Sequence, residues 1–290
     1  MIDKPRAWPP GRAARLLAVL AFAAFAAAWS DVPAAQPPAS PYRILITNDD
    51  GVRAPGILAI AQALRAAAEI TIVAPAENQS ARSHAITISD PIYVDAVMLP
   101  GGLQATGVAG TPATCVKVAL GALMPVKPDL VVSGINRGWN LGAVAYVSGT
   151  VGAAREAALS GIPAVAASLS TEETDYAPAA EIVRQVVEMA RKNGLDRGAF
   201  LNVNIPAGPA GSIKGIQLTR QSALTGVERF EEQRSPRGRR YFWSVWNEPT
   251  GDAEGTDVWA VEHGYAAVTP LRATEFDVST YEAWRGRIGR

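Results

Sequence analysis

Cysteine occurs once in the 290 residues and histidine twice. The single thiol, Cys115, excludes a framework of intrachain disulfides, and within its apolar helical surroundings it reads as packing rather than as a nucleophile. His84 and His263 belong to no H-E-x-x-H pattern and no Cys/His cluster, so a zinc site built on nitrogen and sulfur lacks ligands. The chain has no G-x-S-x-G elbow, no Walker A pattern and no G-x-G-x-x-G, which removes the usual support for a serine hydrolase or a nucleotide-cofactor enzyme. Charge of either sign is not in excess: the formal net charge is zero, and removing Lys4, Arg6, Arg12, Arg15 and Asp3 leaves about −3. Nothing in this balance favours duplex nucleic acid as a partner, and any affinity for phosphate must come from local geometry.

Long apolar runs are scarce as well. The longest, Leu16 to Ala28, is shorter than the roughly 20 residues a bilayer span needs. It follows Arg6, Arg12 and Arg15 and ends in small residues that fit an A-x-A-like cleavage rule, so residues 1–30 are expected to be a secretory signal peptide and the protein periplasmic or secreted. The Pro- and Ala-rich residues 31–41 are expected to be a linker. The rest, with 48% hydrophobic and 19% charged residues over the whole chain, has the composition of a globular domain.

What is present is an alternation of strand-like and helix-like stretches. Arg43–Thr47 and Ile70–Ala74 are short apolar runs flanking a segment to about Ala68, in which Ile57, Ala61, Leu64 and Ala68 recur at helical spacing. Pro55 suits the first turn of that helix. Further strands are expected at Ile92–Val97, Leu130–Ser133, Ala164–Leu169 and Phe200–Val203, and helices at Pro112–Leu123, Thr150–Ser160 and Pro178–Lys192. This pattern predicts a Rossmann-like, doubly wound, mostly parallel α/β sheet. From about Pro206 the pattern changes. Residues 206–271 are expected to form an antiparallel β excursion, with strands at Tyr241–Trp246 and a strand pair across Asp257–Leu271, followed by a C-terminal tail at 276–290.

The chemistry-bearing residues fall where this fold would bind a ligand, just beyond the carboxyl ends of strands. Asn48-Asp49-Asp50-Gly51 follows the first strand. Two adjacent carboxylates repel unless a cation or a shared proton intervenes, and hard divalent cations prefer such oxygens. The plainer alternative is that one of them caps the next helix. The second strand runs into a polar loop with Ser80, Ser83 and His84, a histidine that could contact substrate or be merely structural. The Leu130 strand leads to Asn136, a neutral oxygen ligand, and to a glycine-rich loop with Asn140 and Trp139, a candidate platform for a base. Ser148-Gly149-Thr150 opens a helix, whose free N–H groups and dipole attract an anion.

In this order the motifs resemble the SurE family of survival-protein 5′/3′-nucleotidases. The matching stretches are ILITNDDGVRAPG (44–56), VAPAENQSARSHAITI (73–88), GTPATCV (110–116), PDLVVSGINRGWNLG (128–142), SGTVGAARE (148–156), NVNIP (202–206) and GTDVWAVEHGYAAVTPL (255–271), covering residues 42–275. The resemblance implies a divalent metal, Mg²⁺ or Mn²⁺, on Asp49, Asp50, Ser80 and Asn136. It also implies nucleoside monophosphates as substrates and a homodimer or homotetramer assembled through the C-terminal excursion. Asp49, Asp50 and Asn136 are then the catalytic set, with Asp50 a candidate general base, while Asn140, Ser148, Gly149 and Thr150 hold the substrate phosphate. The runner-up functions are a broad-specificity phosphatase or exopolyphosphatase on the same site, and a non-catalytic binding module for a phosphate ligand. The chain departs from the family pattern at Ala81 (commonly Gly), Thr114 (Asp), Ala143-Val144 (an acidic pair), Tyr146 (displaced by one residue) and Ala157 (frequently Gly). None of these positions is an implied metal ligand.

Overall fold

The computed structural model describes residues 41–209 and 211–288. The expected signal peptide and all of the expected linker but residue 41 lie outside the described residues. Among the described residues, no helix is long and apolar enough to cross a membrane.

Nine strands form one sheet, and an odd–even division of side chains builds its two faces. The strands are β1 (Arg43–Thr47), β2 (Glu69–Pro75), β3 (Val94–Leu99), β4 (Leu103–Val108), β5 (Leu130–Arg137), β6 (Ala164–Leu169), β7 (Ala199–Ile205), β8 (Ile216–Leu218) and, later in the chain, β11 (Ala266–Arg272), in the spatial order β3-β4-β2-β1-β5-β6-β7-β11-β8. Pairing is parallel except at β3–β4 and β7–β11. On one face Ile44, Ile46, Val132, Val165 and Val203 meet helices α1 (Pro55–Leu64) and α4 (Ala177–Asn193). On the other, Leu45, Val131, Ala166 and Phe200 meet α2 (Pro112–Val118) and α3 (Gly149–Leu159). Successive side chains of a strand point to opposite faces, so an uninterrupted apolar run is what a strand covered on both sides requires. Cys115 lies fully buried in the second cluster, where burial pushes its thiol up from the ordinary value, as expected of a packing residue.

The structure revises the expected elements mainly after β7. The strand pair expected across Asp257–Leu271 is instead a short helix, α5 (Asp257–Glu262), followed by β11. The Thr256 hydroxyl caps that helix by accepting from Trp259 N–H, a local signal that outweighs the strand-like Val-Trp-Ala-Val alternation. The excursion is therefore narrower than residues 206–271, because β8 and β11 belong to the main sheet. What projects is the hairpin of β9 (Val227–Arg234) and β10 (Arg240–Asn247), paired only with each other. The C-terminal tail contains a further helix, α6 (Val278–Trp284). The helix expected through Leu123 becomes a wide π-type turn after Val118, and the first helix ends at Leu64 rather than Ala68.

Candidate active site

The site is assembled at the carboxyl ends of β1, β2 and β5. After β1 the chain makes a tight turn in which the Asn48 side chain bonds both ends of Gly51. Its Nδ2 donates to Gly51 O (2.8 Å), and its Oδ1 accepts from Gly51 N–H (3.2 Å). Gly51 adopts φ +107°, a backbone conformation that favours glycine. The helix that follows has Ala54 at its N-cap and no side-chain cap. Neither Asp49 nor Asp50 caps this helix.

Three hydrogen bonds then tie this pair to three distant stretches. Gln79 N–H donates to Asp49 O (2.7 Å), which sets the adjacent Ser80 beside β1. Arg137 N–H donates to Asp50 Oδ2 (3.2 Å), which sets the adjacent Asn136 there too. The Thr150 hydroxyl donates to Asp49 Oδ1. Asn136 commits its amide nitrogen to Gly138 O (2.7 Å) and leaves its oxygen as the available donor atom. Ser80 is exposed on a loop turned by its own N–H donating to Asn78 Oδ1 (2.9 Å).

Both carboxylates are raised above the ordinary carboxylate value. Asp49 is only 3% exposed, and burial outweighs the bonds from Thr150 and from the Gly149 and Thr150 amides. Asp50 is pushed up to about 6, first by burial and then by the neighbouring charge of Asp49, with Arg137 acting in the opposite direction. The two crowded carboxylates have no ion-pair partner among the described residues, and Ser80 and Asn136, next in sequence to Gln79 and Arg137, could add two further oxygens to an all-oxygen donor set. Such a set fits a hard divalent cation and does not suit a soft one.

The expected phosphate-binding residues have partners of their own. Ser148 is the N-cap of α3 and accepts from Val151 N–H (3.1 Å). The Gly149 and Thr150 amides face the Asp49 carboxylate, so the anion at this helix terminus is the protein's own. Gly149 makes that approach possible: a Cβ there would lie 2.9 Å from Asp49 Cβ and Oδ2. Asn140 is buried and donates through its amide nitrogen to Ser168 Oγ (2.7 Å). That amide carries a second N–H that can still donate, and the Asn140 backbone carbonyl accepts from the Asn202 and Asn204 side chains, which anchors the loop. The Trp139 indole N–H donates to Ile205 O (2.6 Å) and its partly buried ring packs against a small buried cluster with Leu141 and Val258.

Other residues enter that the motifs did not single out. Arg137 is exposed and lies close enough to Asp50 to lower its pKa. The phenol of Tyr176, at the start of α4, is raised by burial and then by the charge of Asp50. Position next to Asn136 could have flagged Arg137, but nothing local flags Tyr176.

A carboxylate pair at the carboxyl edge of a doubly wound sheet lies where proteins of the open α/β class bind their ligands. The profile of the family described as Survival protein SurE matches residues 44–226, and the chain belongs to the SurE family. Among its relatives, the 5′-nucleotidase SurE of Geobacter sulfurreducens is 45% identical over 82% of this chain and 89% of its own length. The corresponding proteins of Pelobacter propionicus and Variovorax paradoxus are each 43% identical, over 83% and 86% of this chain and 96% and 98% of their own. A solved structure described as the SurE protein from Aquifex aeolicus superposes with a TM-score of 0.73 at 35% identity, covering 83% of this chain and 97% of that one.

Proposed function

We propose that this protein is a divalent-metal-dependent phosphomonoesterase that hydrolyses nucleoside 5′-monophosphates, and 3′-monophosphates on the same site, to nucleoside and phosphate. One observation carries the reading. Asp49 and Asp50 are hydrogen-bonded to Gln79, Arg137 and Thr150, which supports reading Ser80, Asn136 and the start of α3 as neighbours of one pair of carboxylates. The names of the relatives supply the substrate class, and the oxygen-only donor set supports Mg²⁺ or Mn²⁺.

The residues that would hold the ion are Asp49, Asp50, Ser80 and Asn136. When bound, such a cation neutralises phosphoryl charge and lowers the pKa of a coordinated water. The chain's own residues do the rest. Thr150 and the α3 amides fix the Asp49 carboxylate in one orientation, and Arg137 N–H fixes that of Asp50. The Arg137 guanidinium supplies positive charge beside Asp50 for the phosphate oxygens, in a reaction dominated by charge stabilisation. Asp50, less buried than Asp49, is the carboxylate suited to accept a proton.

Phosphate release from a panel of nucleotides, sugar phosphates and polyphosphate, with Mn²⁺ and with EDTA, tests the assignment. Asp49→Asn should lower release by orders of magnitude with the fold retained. Activity within a few-fold of wild type would remove the carboxylate pair from the mechanism. Export to the periplasm rests on Arg6, Arg12, Arg15 and the apolar run Leu16–Ala28, and is checked by fractionation. A homodimer or homotetramer is supported by the projecting β9–β10 hairpin, which exposes Phe230, Phe242 and Trp243, and is checked by light scattering.

A further inference from the structure

The segment after β2 carries Ser80 and has no regular structure as far as Ile88, yet it is fastened along its length. Ser83 donates through its N–H to Val147 O (3.0 Å) and through its hydroxyl to Tyr146 O (2.6 Å). Further on, the Thr111 hydroxyl donates to Ala85 O (2.6 Å), and Thr87 N–H donates to Thr114 Oγ1 (2.8 Å). Thr114 thus has a role of its own where the family carries Asp. Between these ties His84 Nε2 meets Glu156 Oε2 at 2.9 Å, and the other Glu156 oxygen meets Lys117 Nζ at 3.2 Å. Glu156 projects from α3 and is 6% exposed. Gly152, about one turn earlier on that helix, leaves room for the loop. A Cβ there would collide with the Ser83 carbonyl and lie 3.2 Å from His84 Cα.

The loop therefore lies on a bare strip of the same helix whose first turn packs against Asp49. A buried carboxylate is costly to keep charged unless it is paired and hydrogen-bonded. The two partners of Glu156 come from separate elements, the Ser80 loop and α2. We infer that Glu156 is a positioning residue which, through His84, holds the Ser80 loop on α3 and so keeps Ser80 in place relative to Asp49. The inference rests on the cation site proposed above. Glu156 acts through His84 and the loop, and the donors of that site are other residues.

The test uses the EDTA-stripped full-length protein and Mn²⁺. Hydrogen exchange across residues 79–88 is followed by mass spectrometry, and Mn²⁺ affinity by electron paramagnetic resonance. In Glu156→Ala the loop amides should exchange faster while the interior of α3 keeps its protection, and the Mn²⁺ dissociation constant should rise about 10- to 100-fold, the usual effect of removing a group that orients a ligand. Glu156→Gln, which keeps a hydrogen bond to His84 without the charge, should recover part of that affinity. His84→Ala, on a partly exposed side chain, should reproduce the Glu156→Ala shift and carries the test if Glu156→Ala does not fold. Wild-type Mn²⁺ affinity and loop exchange in folded His84→Ala and Glu156→Ala would overturn the positioning role and leave the cation site standing. A wild type that binds no Mn²⁺ would overturn both.

Discussion

Replacing Asp50 with Asn should make the metal-free protein more stable while destroying its activity. The pKa of Asp50 rises from 3.8 to about 6 on folding, through burial and the charge of Asp49. One pKa unit corresponds to about 1.4 kcal/mol, so the ionised carboxylate costs the metal-free fold about 3 kcal/mol. The sign follows from the direction of the shift. Below about pH 4 the group is neutral in both states and the cost is absent. It grows as pH rises towards 6 and is complete above that. Asn cannot ionise, but it receives the Arg137 N–H bond more weakly, a loss of about 1 kcal/mol. The net gain at pH 7.5 is about 2 kcal/mol, or roughly 4–8 °C for a domain of this size. Urea unfolding in EDTA, at several pH values from 4 to 7.5, measures the difference between variant and wild type. That difference should start near zero or slightly negative and climb by about 3 kcal/mol. Saturating Mn²⁺ should reverse the order, since an ion at 100 times its dissociation constant adds about 2.7 kcal/mol to the wild type alone. A variant less stable than wild type in EDTA at pH 7.5, or a difference that does not change with pH, would refute the reasoning.

Gly149→Ala places a Cβ 2.9 Å from Asp49 Cβ and Oδ2 and 3.2 Å from Pro112 Cγ. It should displace the carboxylate, lowering phosphate release about 100-fold for a shift near 1 Å, and wild-type kcat/KM would show that the contact is slack. Ala81 adopts φ +58°, so Ala81→Gly should raise the urea midpoint by about 0.5–1 kcal/mol of stability, with a fall counting against the strain. Asp257 is buried and accepts from Gly142 N–H (2.9 Å), Ser222 N–H (2.8 Å) and Val258 N–H (3.0 Å). Asp257→Ala strands the Gly142 and Ser222 donors and should cost about 2–4 kcal/mol in the same assay, and a loss below about 1 kcal/mol would contradict it.

The amino-acid sequence by itself determined most of the strands and helices up to β7, β4 (Leu103–Val108) being the strand it did not reveal. An apolar run such as Arg43–Thr47 can be buried on both faces only inside a parallel sheet, and the Ile57–Ala61–Leu64 spacing leaves one helical solution. It also singled out NDDG, the Ser80 loop and Asn136, which lie at the carboxyl ends of three parallel strands. Which group meets which was decided only by the tertiary structure. Local sequence cannot show that Ala54, not an aspartate, starts the first helix, or that Asp49 takes the N-terminus of α3 expected to hold phosphate. Nor can it show that His84 meets Glu156 across 72 residues. Periodicity reports the face on which a side chain lies, whereas hydrogen-bond partners and shifted pKa values depend on distances and burial that exist only once the sheet has brought distant strand ends together.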